Sequence, residues 1–257
     1  MELKGISAIV TGGASGIGEG SARLLAARGA KVVIADLDRQ TERGEALAKE
    51  LGGAFVPCDV RDPEHVQAAV ASAVEMAPLR ALVNAAGIGF PGRTISRDGT
   101  PHNLDDYKRV IDINLIGTFN CIRLAASAMN SNTPDEDGSR GAIVNIASVA
   151  AFDGQIGQAA YSSSKGGVVA LTLVVARDLA ATGIRCNCIA PGLIDTPIYG
   201  TGEASDAFKA NLGKNVLFPN RLGSSGELGS MVIELLSNSY MNAETIRVDG
   251  GIRMPPK

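Results

Sequence analysis

A chain of 257 residues, 45% hydrophobic and 20% charged with 31 glycines, is long enough for one or two α/β domains and too apolar for a disordered segment. Its net charge of −3 and the absence of any Lys/Arg run exclude the basic stripe that a phosphate backbone requires, so no nucleic acid is expected as a partner. The first apolar run, residues 6–10, is too short for a signal peptide, and no stretch approaches about 18 uninterrupted apolar residues, so a soluble cytoplasmic protein without a membrane partner is expected.

Short β-branched runs alternate with amphipathic stretches along the first half. Strands are predicted at Ser7–Thr11, Lys31–Asp36, Ala54–Pro57 and 81–84, with helices near 16–28, 39–51 and Pro63–Met76 between them. Asp62-Pro63 reads as a helix start, because aspartate caps free N–H groups and proline tolerates the first helical position. Leu104–Met129 is predicted as one long helix, 131–140 as a polar loop, 141–147 as a fifth strand and 160–182 as a second long helix. Sixth and seventh strands follow at 184–190 and Thr245–Val248, around a helix near 224–236. This alternation predicts an α/β fold: one domain over residues 1–257, a doubly wound parallel seven-stranded sheet with helices on both faces. Segments 88–103 and 194–220, the second with a short helix near 203–212, are too long for plain connections. Both follow strands, so they are expected over the carboxyl edge of the sheet, where open α/β folds bind ligands. Cys58, Cys121, Cys186 and Cys188 lack zinc-site spacing and read as buried free thiols, and no metal is expected.

Directly after the first strand, Thr11-Gly12-Gly13-Ala14-Ser15-Gly16-Ile17-Gly18 opens a helix. Its glycines permit a tight turn and let a pyrophosphate approach backbone N–H groups at the positive helix end, the mark of a Rossmann-type dinucleotide site. Asp36, at the end of the second strand, is placed to accept hydrogen bonds from an adenine-ribose diol and to repel a 2′-phosphate, which favours NAD over NADP.

Ser148 stands just after the fifth strand, and Tyr161-Ser162-Ser163-Ser164-Lys165 opens the following helix. Tyr161 and Lys165 lie one helical turn apart and share a face. A tyrosine hydroxyl ordinarily ionises near about pH 10, and a nearby ammonium stabilises the tyrosinate that a proton shuttle requires. Ser148 would hold the substrate oxygen while hydride moves to the cofactor. With the Gly-x-x-x-Gly-x-Gly loop, these residues resemble the short-chain dehydrogenase/reductase family, and the likeness runs along essentially the whole chain.

The resemblance implies a catalytic tetrad of Asn114, Ser148, Tyr161 and Lys165, with Asn114 holding a water that links Lys165 to solvent. It implies cofactor contacts from Gly12, Ser15, Gly16, Ile17, Gly18, Asp36, Asp59, Val60, Asn84, Ala85, Gly87, Tyr161, Lys165, Pro191, Gly192, Ile194 and Thr196, and substrate contacts from Ser148, Gln155 and Tyr161. The run from Ala147 to Tyr161, the tail from Ile246 to Met254 and the polar insertion before Gly141 are similar to members that interconvert (S)-3-hydroxyacyl-CoA and 3-oxoacyl-CoA with NAD. That likeness implies an acyl-CoA thioester substrate, closure of residues 198–215 over the acyl chain, and a homotetramer in which the two long helices pack across one interface. A dehydrogenase of sterols or other secondary alcohols would keep the same tetrad. A 3-oxoacyl-carrier-protein reductase would more often carry Arg where this chain has Ser15, and a noncatalytic NAD-sensing scaffold would be expected to lose a tetrad residue.

Overall fold

The computed structural model describes residues 1–200 and 202–256; Thr201, in the second insertion, and Lys257 lie outside the described residues. Seven strands form one sheet: β1 (Ser7–Thr11), β2 (Lys31–Asp36), β3 (Ala54–Pro57), β4 (Leu79–Asn84), β5 (Gly141–Ile146), β6 (Ile184–Pro191) and β7 (Thr245–Val248). Their order is β3-β2-β1-β4-β5-β6-β7, and every pairing is parallel. Among the described residues eight α-helices connect them: α1 (Gly16–Ala27), α2 (Thr41–Leu51), α3 (Pro63–Met76), α4 (Leu104–Ile111), α5 (Gly117–Met129), α6 (Ala159–Leu179), α7 (Glu203–Gly213) and α8 (Ser225–Ser237).

Both faces of the sheet are covered, because neighbouring residues on a strand point to opposite sides. On β1, Ala8 and Val10 join α1, α2 and α8 in one core, whereas Ile9 joins α3, α5 and α6 in the other. Every residue of β1, β5 and β6 is buried, and this two-sided burial explains the apolar runs at the centres of β1 and β5. The chain travels outward from β1 through β2 to β3, then returns to lay β4 on β1's other side. The connections leaving β1 and β4 therefore diverge and open a crevice at their carboxyl ends.

Several boundaries differ from the sequence expectation. β4 begins at Leu79, which pairs with Ser7 across an irregular register step, and β6 runs on to Pro191, a terminal position where the missing N–H costs no ladder bond. β5 stops at Ile146 and α6 ends at Leu179, followed by a 3₁₀ turn at Ala180–Thr182. The expected single helix over Leu104–Met129 is interrupted by a π-helical turn, Asp112–Ile116, which carries the fully buried Asn114. Leu104–Met129 and Ala159–Thr182 are long and apolar enough to cross a membrane by length and composition. In this fold both pack against the sheet, leaving Ile116, Phe119, Leu173 and Val174 exposed on their outer sides.

Arg185 joins β6 to the end of α8. Its guanidinium is buried and donates to Leu235 O at 2.8 Å and Leu236 O at 2.7 Å, carbonyls of the last helical turn, and to Met241 O at 2.6 Å beyond it. Replacing it with methionine would keep much of the stem volume and leave the Leu235 and Leu236 carbonyls buried without that donor. Arg185→Met is expected to destabilise the fold by about 3 kcal/mol or more, read as a shifted urea midpoint; an unchanged midpoint would show that the guanidinium carries no structural load.

Candidate active site

The carboxyl ends of the central strands open onto two adjoining cavities, of about 450 Å³ and about 350 Å³. Ile17, Ala85, Gly87, Ile88 and Thr196 line both and form the boundary between them.

The larger cavity is built on the loop between β1 and α1. Gly12 has φ 62°, and a Cβ there would fall 2.9 Å from the Ala86 Cα; one on Gly18 would fall 2.1 Å from the Gly12 carbonyl oxygen. Only glycine fits at either position. Ser15 precedes α1 with an extended backbone and no side-chain cap bond, so the first N–H groups of the helix have no capping oxygen from it. Asp36 closes one wall: its Oδ2 accepts from Ala14 N at 3.0 Å and its Oδ1 from Leu37 N at 2.8 Å, which fixes the carboxylate beside the loop. Asp59 and Val60, just past the neighbouring strand β3, line the same cavity, and Arg61 grips Asp59 at 2.5 Å and holds its carboxyl below the usual range. Burial pushes the neighbouring Cys58 thiol up to about 12.

The smaller cavity gathers Ser148, Tyr161 and Lys165 with Pro191, Gly192 and Ile194. Ser148 follows β5, and its Oγ accepts from Ala150 N at 3.1 Å, capping the 3₁₀ turn Val149–Ala151. Lys165 is buried; its Nζ donates to Ile146 O at 2.8 Å and sits 5.8 Å from the centroid of the Tyr161 ring. Loss of hydration brings the Lys165 ammonium down from the ordinary 10.5 to about 8. Burial pushes the Tyr161 hydroxyl above its usual range, and its hydrogen bond with Ser148 pulls the other way. In the chain alone, dehydration of the phenol outweighs its hydrogen bond with Ser148, and the Lys165 ammonium is turned to the Ile146 carbonyl.

Two expectations need correction, those for Asn84 and Gln155. The Asn114 amide is engaged by the protein: Oδ1 accepts from Ile88 N at 2.8 Å, and Nδ2 donates to Ile88 O at 2.9 Å and to Ser164 Oγ at 3.0 Å. Its carbonyl accepts from Thr118 Oγ1 at 2.8 Å. Asn84 lines neither cavity; it lies within the sheet and donates to Asn145 Oδ1 at 2.9 Å. Gln155 is turned away, donating from Nε2 to Pro255 O at 3.0 Å, and Gln158 lines the cavity in its place.

Every other residue singled out from the sequence lines one cavity or both. Sequence reasoning missed Ser164, whose Oγ donates to Tyr161 O at 2.7 Å and links Asn114 to α6. The i, i+3 spacing of Tyr161 and Ser164 was a usable signal for that bond. It also missed Tyr199 and Met254 on the smaller cavity and Arg39 and Arg109 on the larger, which distant parts of the chain bring into place.

This pair of cavities, one on a glycine loop and one holding a buried Tyr–Lys pair, is the arrangement of a dinucleotide-dependent oxidoreductase. A family model described as Enoyl-(Acyl carrier protein) reductase matches residues 12–253, and the chain belongs to the short-chain dehydrogenase/reductase family, whose members are typically NAD(P)-dependent oxidoreductases of small molecules. It is 48% identical to 3-hydroxyacyl-CoA dehydrogenase type-2 of Bos taurus, over 99% of this chain and 97% of that protein, and 47% identical to the protein of that name from Homo sapiens over the same shares. The crystal structure of 3-hydroxyacyl-CoA dehydrogenase type-2 from Mycobacterium avium superposes with a TM-score of 0.94 at 43% identity, covering 100% of both chains.

The buried ammonium has a measurable signature. Lys165 resists protonation in the folded state above about pH 8, whereas an unfolded lysine stays protonated to its ordinary 10.5, so the wild type gains stability as pH rises through that interval. Lys165→Met lacks this gain. The stability difference between variant and wild type is expected to move in the wild type's favour by on the order of 3 kcal/mol between about pH 7 and about pH 10, measured by urea unfolding. A difference that does not change with pH would place the ammonium in water.

Proposed function

We propose that the protein interconverts (S)-3-hydroxyacyl-CoA and 3-oxoacyl-CoA with NAD, with residues 1–257 acting as one catalytic unit. The observation that carries the reading is the convergence of Ser148, Tyr161 and Lys165 on a cavity that shares a wall with the one bordered by Asp36. Asp36 supports NAD over NADP: two backbone N–H groups fix its carboxylate where a 2′-phosphate would have to approach it. The identity to 3-hydroxyacyl-CoA dehydrogenases along nearly the whole chain supports the acyl-CoA thioester.

NAD would lie along the glycine loop and Asp36, with its nicotinamide near Gly192, Ile194 and Thr196, and would supply the hydride acceptor. Ser148 Oγ hydrogen-bonds the carbinol oxygen and orients it toward Tyr161. Tyr161 in its ionised form takes the carbinol proton during oxidation, and its hydroxyl returns that proton during reduction. Ionisation of Tyr161 is opposed by its burial and favoured by the Lys165 ammonium and by the positive charge of oxidised nicotinamide, each pKa unit corresponding to about 1.4 kcal/mol. Asn114 keeps the cavity wall in place by clamping Ile88. The apolar outer faces of α5 and α6, with Phe119, Leu173 and Val174 exposed, support a homotetramer built across these helices.

The test is NADH formation by the purified protein with (S)-3-hydroxybutyryl-CoA, beside a sterol and a sugar alcohol, with NAD and NADP compared. Turnover is expected to be fastest with the CoA ester and NAD. Turnover confined to another alcohol would discard the acyl-CoA assignment and keep the oxidoreductase. Tyr161→Phe is expected to bind NAD and lose about 100-fold or more of the turnover; full turnover would remove Tyr161 from the proton transfer.

A further inference from the structure

The last described residues of the chain reach the smaller cavity at one side chain. Met254 lines it together with Val149, Gln158, Leu193 and Tyr199. Ile252, 2% exposed, packs in a small apolar cluster with Val149 and Val216, and Leu193 and Met254 lie against that cluster. Met254 is therefore seated on a packed base.

Three sets of contacts hold the tail there. Arg247 donates to Asp153 Oδ2 at 2.8 Å, to Asp249 Oδ2 at 2.7 Å and to Ile252 O at 2.9 Å, and its guanidinium carbon lies 5.5 Å from the centroid of the Phe152 ring. Gln155 Nε2 donates to Pro255 O at 3.0 Å, and Ile156 N donates to Pro256 O at 3.0 Å. The partners on the other side, Phe152 to Ile156, belong to the loop that leaves Ser148 for Tyr161. Tail and loop are thus fastened side by side, one carrying Met254 and the other joining the two reactive hydroxyls.

We propose that Met254, held in place by residues 252–256, forms the distal wall of the substrate cavity and determines specificity by limiting the length of alkyl chain admitted beyond the carbinol carbon. Gln155 is then a positioning residue that acts through Pro255 rather than through the substrate. The chemistry fits an unbranched apolar chain: a thioether on three rotatable bonds offers an adaptable apolar surface and no hydrogen-bond donor. The inference rests on the proposed acyl-CoA reading for the substrate and not for the wall.

The experiment compares kcat/KM of wild type, Met254→Ala and Met254→Phe on (S)-3-hydroxyacyl-CoA esters of increasing chain length and, in parallel, on simple 2-alkanols of increasing length. Met254→Ala is expected to raise the long-to-short ratio by about tenfold and Met254→Phe to lower it, since each methylene admitted or excluded is worth at least a severalfold change. Gln155→Ala is expected to shift the same ratio while Gln155→Glu, which keeps the stem but cannot donate to Pro255 O, behaves like the alanine variant. Silence on every CoA ester with turnover of the alkanols would overturn the acyl-CoA reading, and the alkanol series would then decide the wall. Ratios that stay at the wild-type value in both Met254 variants would overturn the proposal.

Discussion

A lysine ammonium held out of water is the constraint around which the carboxyl edge of this sheet is arranged. Removing such a charge from solvent costs several kcal/mol unless hydrogen bonds replace its hydration. Here the Ile146 carbonyl, at the last residue of β5, supplies one partner, and the fold leaves room for Nζ by placing Gly87 opposite: a Cβ there would come 3.4 Å from Nζ and 3.2 Å from Asn114 Oδ1. The lysine therefore depends at once on where β5 stops, on the loop after β4 and on the helix turn that carries Asn114. Displacing any of these would leave a charge without compensation, which is why three separate elements meet so closely at this point.

The boundary between the two cavities is fixed by polar contacts rather than by packing alone. Ile88 lies on it, and both main-chain groups of Ile88 are held by the Asn114 amide, which is tied through Ser164 to the backbone of Tyr161. A shift of α6 is thereby felt at the wall that separates cofactor from substrate. Reacting groups positioned by hydrogen-bonded supports keep their mutual distances better than groups held by side-chain volume alone, and hydride transfer is sensitive to such distances.

Much of this was legible in the sequence, and the reasons are local. β1 and β2 announce themselves by short β-branched runs, the glycine loop by its spacing, and α3 by Asp62 and Pro63, where the Asp62 side chain accepts from Glu64 N. Tyr161 and Lys165 share a helix face whatever the rest of the chain does. What escaped the sequence depends on pairing across distance. Gln155 turns from the cavity because a carbonyl a hundred positions along accepts its amide proton. No periodicity records such choices. The π-helical turn escaped as well, since Asp112 to Ile116 continues the same apolar pattern as the α-helices on either side.

That turn has a consequence for how this part of the chain tolerates change in length. A π-helical turn accommodates one residue more than the α-helical turn it replaces, and a residue added to or removed from an α-helix rotates everything beyond it by about 100°. The side of α4 that meets α6 and the side of α5 that meets the sheet are thus brought into phase by a single surplus residue near Asn114. Removing one residue between 112 and 116 would restore a regular helix and turn Cys121, Ile122 and Ala125 out of the core. This stretch therefore tolerates a change of side chain far better than a change in its number of residues.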